Sequence, residues 1–295
     1  MSSYTVKSIS SPSNALSLMP SRPERSCKGD FGRVLCICSS HSMAGAAYLC
    51  AKAAYRAGAG LVEIFAPECN RTILQTLIPE AIISCYGEKY SKDLLLNSLE
   101  KADCVVAGCG LGTAEDARRI VTDLLHNVDT DKLHLILDAD ALNIISQHQA
   151  LKKYTKGAVI TPHAKEMSRL CGKNIDEILA DTESIALEYA KQNELVCVLK
   201  DHRTVISDGS SELYLNTTGN SGMATGGSGD VLAGILAGLF AQSKNSSASK
   251  LETAALGVYL HGLCGDLAAE RLTEYCVMAN DIIDELPMAM KLALC

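Results

Sequence analysis

Tryptophan is absent from the sequence and phenylalanine occurs three times in 295 residues. With 47% of the residues hydrophobic, a sizeable core is still available, and it must be built from aliphatic side chains and alanine. An excess of positive charge is also lacking. Lys and Arg number 27 against 34 Asp and Glu, a formal net charge of -7. That balance argues against a general nucleic-acid binder or a protein of anionic membrane surfaces, so any phosphate must be held by a local site. No apolar run is long enough for a membrane span. The thirteen cysteines include no CxxC pair. Their odd, dispersed arrangement, with no signal peptide read at the start, points to a reducing compartment and a cytoplasmic location rather than a disulfide framework. Cys36 and Cys38 alternate in a strand-like run and read as buried core. Residues 1–17 read as a tail, disordered or a remnant of a targeting peptide. The Ser-rich stretch to Ala15 has Lys7 as its only charge and is too poor in Arg for a transit peptide.

What is present is a glycine-rich stretch late in the chain, from Asn216-Thr217-Thr218-Gly219-Asn220 to Gly226-Gly227-Ser228-Gly229-Asp230, followed at once by an apolar run from Val231 to Phe240. Glycine lets a backbone approach a ligand closely and adopt positive φ. Successive amides in such a loop can form an anion nest, and a helix starting near Gly229 would add free N–H groups and the positive end of its dipole. The loop nevertheless closes on an acid. A carboxylate facing a phosphate is repelled unless it has work to do, and Asp230 is placed to take a proton from a hydroxyl that attacks phosphorus. The plainer alternative is a glycine turn with Asp230 as a helix N-cap.

Upstream, short apolar runs alternate with helical stretches. Arg33–Cys38 reads as a strand, residues 42–56 as a helix opened by small residues, and Leu61–Phe65 as the next strand, a βαβ unit with parallel pairing. Further strands are expected at Asp103–Ala107, Leu133–Leu137, Ala158–Ile160 and Leu195–Leu199, with Val205–Ile206 and Leu213–Leu215 paired around Asp208-Gly209. No linker or repeat divides the chain, so residues 18–295 read as one α/β domain with a mainly parallel sheet between helical layers. Gly110, Asp138, His163, Glu166, Lys200 and Asp230 all fall at or just after strand carboxyl ends or in the glycine loop. Ligands of open α/β sheets bind at that edge. One such residue would be an ordinary turn or cap; six in one register define a candidate site.

Taken in order, Lys28-Gly29-Asp30-Phe31-Gly32, Met43-Ala44-Gly45-Ala46-Ala47, Ala107-Gly108-Cys109-Gly110-Leu111-Gly112, Leu137-Asp138-Ala139-Asp140-Ala141-Leu142, Thr161-Pro162-His163 and the glycine loop resemble the ADP/ATP-dependent NAD(P)H-hydrate dehydratases of the ribokinase-like superfamily. The resemblance runs from about Leu18 to the C-terminus. It implies a three-layer α/β/α fold and a repair reaction: a nucleotide, ADP or ATP, phosphorylates the ring hydroxyl of hydrated NADH or NADPH, and phosphate is then eliminated. It also implies Mg2+, hydrated dinucleotide and adenine nucleotide as small-molecule partners, and a homo-oligomer. By motif, Asp230 would be the base, with the amides of Gly227, Ser228 and Gly229 stabilising charge on the phosphoryl group. Ala46, Gly110 and His163 match substrate positions, with Asp138 and Asn143 as supporting groups. Lys200, Asp201, His202, Arg203, Thr204 and Gly229 match nucleotide positions. Glu166 stands where related kinases carry an acid acting on magnesium through water.

Three departures occur: Ala44 where the family commonly has Pro, Ala164-Lys165 where it has Pro-Gly, and Cys27 where it often has His. None removes a group the chemistry needs. Two other readings stay open at this point. A small-molecule kinase of the hydroxyethylthiazole or pyridoxal type would share Asp230 and the loop but release phosphorylated substrate instead of free phosphate. A non-catalytic binding protein would keep only the fold. A Rossmann dehydrogenase is excluded, because Gly108-Cys109-Gly110-Leu111-Gly112 lacks the GxGxxG spacing.

Overall fold

The computed structural model describes residues 4–9 and 11–294. Ten strands form one sheet: β1 (Thr5–Lys7), β2 (Arg33–Ile37), β3 (Leu61–Pro67), β4 (Ile82–Tyr86), β5 (Cys104–Ala107), β6 (His134–Leu137), β7 (Val159–Ile160), β8 (Val196–Leu199), β9 (Val205–Ser207) and β10 (Glu212–Leu215). Their spatial order is β1-β10-β9-β8-β7-β6-β5-β2-β3-β4. Pairing is parallel from β4 through β8, and β9 is antiparallel to both of its neighbours.

Side chains of a strand alternate between faces, and this alternation builds two cores. Val34, Cys36 and Val106 join a layer under the helices Ala44–Arg56, Ser228–Ala241, Lys250–Leu272 and Ala279–Leu294. Leu35, Ile37, Val105 and Ala107 join the opposite layer, under Lys92–Leu99, Glu115–Asn127, Ala139–Gln147, Ala164–Cys171 and Thr182–Asn193. The three-layer sandwich expected from the sequence is present.

The chain differs from expectation at its start and in one middle stretch. Thr5–Lys7, read as tail, pairs in parallel with Glu212–Tyr214 of β10. Lys7 Nζ lies 2.7 Å from Glu212, and the Tyr4 hydroxyl donates to Glu183 at 2.8 Å. A helix, Pro12–Leu16, follows. The order comes from the open edge of β10 rather than from local hydrophobicity. Residues 1–3 and 10 of the expected tail lie outside the described residues. The helix Arg71–Leu77, edge strand β4 and helix Lys92–Leu99 were not anticipated. β4 is covered on one edge only and is half-buried, so its residues lack the continuous apolar signature of an inner strand.

Helix Ser228–Ala241 is buried along almost its whole length. It packs against Ala44–Arg56 with very close backbone approach. A Cβ on Gly234 would collide with the Cys50 carbonyl and lie 2.8 Å from Ala53 Cβ; one on Gly238 would lie 2.5 Å from the Ala54 carbonyl oxygen and 2.7 Å from Ala57 Cβ. Gly238→Ala should therefore lower unfolding free energy in urea by about 1–2 kcal/mol. Overpacking a tight core costs about 1–3 kcal/mol, which outweighs the roughly 1 kcal/mol gained in helix propensity. An unchanged or raised urea midpoint would mean that the two helices have room to part.

Candidate active site

Three strand ends and two helix amino ends converge at the carboxyl edge of the sheet. β6 runs into Asp138, β7 leads through Thr161 and Pro162 to His163 and Glu166, and β8 runs into Lys200. Asp138 is only 2% exposed. Its Oδ1 accepts from Lys200 Nζ at 2.9 Å and from Thr161 Oγ1 at 2.6 Å. Buried charge is tolerated where it is paired and hydrogen-bonded, and both conditions hold here. Burial works to depress the Lys200 ammonium, but the charges of Asp138 and Glu166 outweigh it and hold its pKa above the ordinary value. Lys200 is therefore a fixed cation.

His163 and Glu166 cap the helix Ala164–Cys171 reciprocally. His163 Nδ1 accepts from the amides of Lys165 and Glu166 at 3.1 and 3.3 Å, and Glu166 Oε2 accepts from the His163 amide at 2.9 Å. This is a capping box in which histidine takes the usual place of Ser or Thr. An accepting Nδ1 leaves the proton of the neutral ring on Nε2, 3.4 Å from Glu166 Oε1. Burial, and then the Lys200 charge, lower the His163 pKa and favour that neutral form. Burial raises the Glu166 carboxyl, with Lys200 pulling the other way.

Asp230 sits in the first turn of Ser228–Ala241. Burial first, and the Asp138 charge second, push its carboxyl up to about 6, against the opposing pull of the Cys109 thiol and Lys200. The loop before it needs glycine at Gly227, where φ is +92° and a Cβ would lie 2.5 Å from Leu49 Cδ1. A Cβ on Gly229 would lie 3.5 Å from Lys200 Nζ and 3.8 Å from Asp138 Oδ2, so the helix amino end faces the ion pair directly. The dipole and first-turn amides of that helix and the Lys200 ammonium bring positive groups to an edge that also carries the Asp138, Glu166 and Asp230 carboxyls. Of the loop amides, that of Ser228 also points to the Thr225 carbonyl, at 3.4 Å.

Gly110, with φ +61°, meets the helix Ala44–Arg56: a Cβ there would lie 2.6 Å from Ala46 Cβ. Asn143 accepts from Arg169 at 2.6 Å and donates to Asp140 at 3.3 Å, while Asp140 accepts from the Gly112 amide at 2.8 Å. Asn143 thus braces the turns around the pocket, and no hydrogen bond joins it to Asp230 among the described residues. Asp201, His202 and Arg203 form an exposed turn after Lys200, and the Thr204 carbonyl accepts from the Asn216 amide at 2.9 Å. This bond ties the expected nucleotide turn to the start of the glycine loop.

Four contributors escaped the sequence reading. Thr161 completes the Asp138 shell. Cys109 Sγ lies 3.9 Å from Asp138 Oδ2. Asp266 accepts from the Gly219 amide at 2.9 Å and from Asn220 Nδ2 at 3.0 Å, fixing the far end of the glycine loop. His261 Nε2 lies 3.0 Å from the Ser228 carbonyl oxygen and 3.3 Å from its hydroxyl. Burial lowers the His261 pKa to about 4, so a neutral ring donates to that carbonyl. A lone His in the small-residue run Leu260-His261-Gly262 was the available signal.

A parallel-sheet α/β/α sandwich whose glycine loop ends in an acid at a helix amino end is the ribokinase-like arrangement. Residues 34–288 match the family described as NAD(P)H-hydrate dehydratase, and the chain belongs to that family. It is 38% identical to a bifunctional NAD(P)H-hydrate repair enzyme of Moorella thermoacetica, over 93% of this chain but 52% of that one. The chain thus spans about half the length of the first curated relatives it matches. It is also 37% identical to an ADP-dependent (S)-NAD(P)H-hydrate dehydratase of Enterococcus faecalis, covering 92% of this chain and 88% of the relative. Among solved structures, it superposes on an ADP/ATP-dependent NAD(P)H-hydrate dehydratase of Bacillus subtilis co-crystallised with ATP and Mg2+. That match has a TM-score of 0.80 and 26% identity, covering 97% of this chain and all of the other.

The raised carboxyl of Asp230 has a consequence for stability. Its folded pKa, about 6, exceeds the ordinary aspartate value of 3.8. The folded state therefore holds this proton more tightly, and stability falls as pH rises from about 4 to about 6 and stays lowered above. Asp230→Asn removes the ionisation. It should stabilise the protein at pH 8 by up to about 3 kcal/mol and by little at pH 4. Thermal melts at both pH values test this; an equal shift at the two would show that Asp230 is not held under electrostatic strain.

Proposed function

We propose that the chain is an ADP/ATP-dependent (S)-NAD(P)H-hydrate dehydratase that returns hydrated NADH or NADPH to the reduced cofactor. One observation carries this reading: a carboxyl poised at about 6 stands on a helix amino end beside a fixed Lys200 cation. A general base works best with a pKa near the operating pH, and charge building on a transferring phosphoryl group needs preorganised positive partners. Both requirements meet at Asp230.

The hydrated ring lies between Ala46, Gly110 and His163 on one side and Asp230 on the other, with Asp138 and Asn143 supporting that wall. The nucleotide lies along Lys200, Asp201, His202, Arg203 and Thr204, its terminal phosphate at Gly227, Ser228 and Gly229. Asp230 takes the hydroxyl proton as that oxygen attacks phosphorus, and AMP leaves from ADP, or ADP from ATP. The ring C–O bond, its oxygen now carrying the phosphoryl group, then breaks with help from the ring nitrogen lone pair, and loss of a proton from the adjacent carbon restores the double bond. Phosphate leaves readily where hydroxide does not, which lets a kinase-like site serve a lyase.

The donor set suits magnesium, because Asp138, Glu166 and Asp230 offer the carboxylate oxygens that a hard cation prefers. Glu166 is the residue that would hold it through water, with Oε2 committed to the His163 amide and Oε1 3.4 Å from His163 Nε2. Bound with the nucleotide, Mg2+ would supply neutralisation of phosphoryl charge.

The test is to incubate the protein with hydrated NADH and ADP or ATP while following the return of reduced-nicotinamide absorbance. Asp230→Asn should lower turnover by about two to four orders of magnitude, the range for a positioned base, with little change in nucleotide affinity. The N-cap position belongs to Gly227 and Asp230 lies within the first turn, so the alternative reading of Asp230 as the N-cap does not hold, and a merely structural first-turn residue predicts no such loss. A mutant within about threefold of wild type, roughly 0.7 kcal/mol of barrier, would sink the mechanism. Accumulation of phosphorylated hydrate instead of free phosphate would identify a kinase.

A further inference from the structure

Beneath the carboxylates lies a group of thiols that the reaction does not use. Cys38 follows β2, Cys50 lies in the middle of helix Ala44–Arg56, and Cys109 stands in the turn after β5. All three are fully buried, and their sulfurs lie within 4.8 Å of one another. The backbone brings them together: the Ser39 amide donates to the Cys109 carbonyl at 2.9 Å, locking the end of β2 to the turn after β5. Ser39 holds φ +86° to do so, and Asn70 Nδ2 donates to its hydroxyl at 2.6 Å. A non-glycine residue in that region is strained unless its surroundings hold it there. The three cysteines belong to the apolar layer that also holds Ala46, Ala47, Val106 and Leu232. Cys36, 4.0 Å from Cys50, extends the group away from the site, and Cys109 joins it to Asp138 and Asp230.

We propose that Cys38, Cys50 and Cys109 form a three-coordinate site for a soft, thiophilic metal ion, with Cu(I) the ion whose chemistry fits. Thiolates select soft metals. Sulfurs at that spacing need to contract by about half an ångström each to reach thiolate–metal bonds of about 2.3 Å. A structural zinc takes four ligands, and among the described residues neither Cys36 nor the carboxylates beside Cys109 belong to the set whose ligand atoms all lie within 4.8 Å of one another. Each thiol releases its proton to solvent on binding, and the metal keeps its oxidation state. Cys109 adjoins the half-open carboxylate pair, which is the side from which an ion enters.

The experiment uses full-length, reduced protein under anaerobic conditions, in which the exposed Cys27, Cys69 and Cys276 are replaced by Ser, together with Cys295, which lies outside the described residues. Cu(I) is titrated in competition with a chromophoric Cu(I) chelator, and the chelator absorbance reports transfer. One Cu(I) per chain should pass to this protein. Cys50→Ala and, separately, Cys38→Ser should abolish the transfer, while Cys104→Ala, a buried cysteine outside the triad, should keep it, with circular dichroism checking that each variant is folded. No transfer to the parent protein, or transfer retained by either folded triad variant, would overturn the proposal. The readout is metal binding and not dehydration, so it stands or falls apart from the enzymatic reading.

Discussion

The close approach of helices Ser228–Ala241 and Ala44–Arg56 is the constraint on which the rest of the site depends. Gly234 meets Cys50 and Ala53, and Gly238 meets Ala54 and Ala57, so both sequences ascend together and the two helices run parallel. Their amino ends therefore emerge at the same edge of the sheet, one presenting Ala46 to Gly110 and the other presenting Asp230 to Asp138 and Lys200. Larger residues at the crossing would separate the helices and pull these walls apart. The alanine-rich composition, with no tryptophan, is what a sandwich with this crossing requires.

Three carboxyl groups share this edge with one lysine, and the inequality shapes their behaviour. Lys200 bonds directly to Asp138, which Thr161 also supports. Glu166 is committed to the capping of its own helix. Asp230 has neither arrangement, and it is the carboxyl pushed up to about 6. The ion pair therefore does more than hold β6 to β8. It also anchors Asp138 near Asp230, whose affinity for a proton is raised first by burial and then by the Asp138 charge. A carboxyl held in this way lowers stability at neutral pH, the trade expected where function opposes folding.

Much of this was legible in the sequence because the strands are short, apolar and followed by the polar residues they deliver. β2, β3, β5, β6, β7 and β8 were each found from such runs, and Asp138, His163, Glu166 and Lys200 from their position just beyond them. Asp230 was found because an acid closing a phosphate-suited loop has few structural reasons to be there. β1 and β4 were missed because an edge strand owes its existence to one neighbour that may lie far away in sequence, as Thr5 does from Glu212. His261 and Asp266 were missed for a related reason. They act from a helix surface across more than thirty residues, on backbone atoms whose positions no local pattern gives. The family resemblance supplied roles for Ala46 and Gly110, but not the reason both must be small. That reason is the 2.6 Å separation a Cβ on Gly110 would have from Ala46 Cβ.

Backbone strain is concentrated at the same edge. Two of the four non-glycine residues with positive φ among those described, Ser39 at +86° and Ala139 at +48°, directly follow β2 and β6 or the residue just beyond them. Each lies next to a side chain that matters, Cys38 and Asp138. A strand that continued straight would carry those side chains past the sheet edge, whereas a reversal at the following residue turns the chain into its loop or helix and leaves them facing inward. Such conformations cost on the order of 1–3 kcal/mol each and persist only where the surroundings over-determine them. Here the restraints are visible: Asn70 and the Cys109 carbonyl hold Ser39, and the Ala107 carbonyl and Thr161 hold Asp138 from either side. The positioning of the site is thus a property of the strand ends and their hydrogen bonds, and the glycine loop adds its charges to an edge already fixed.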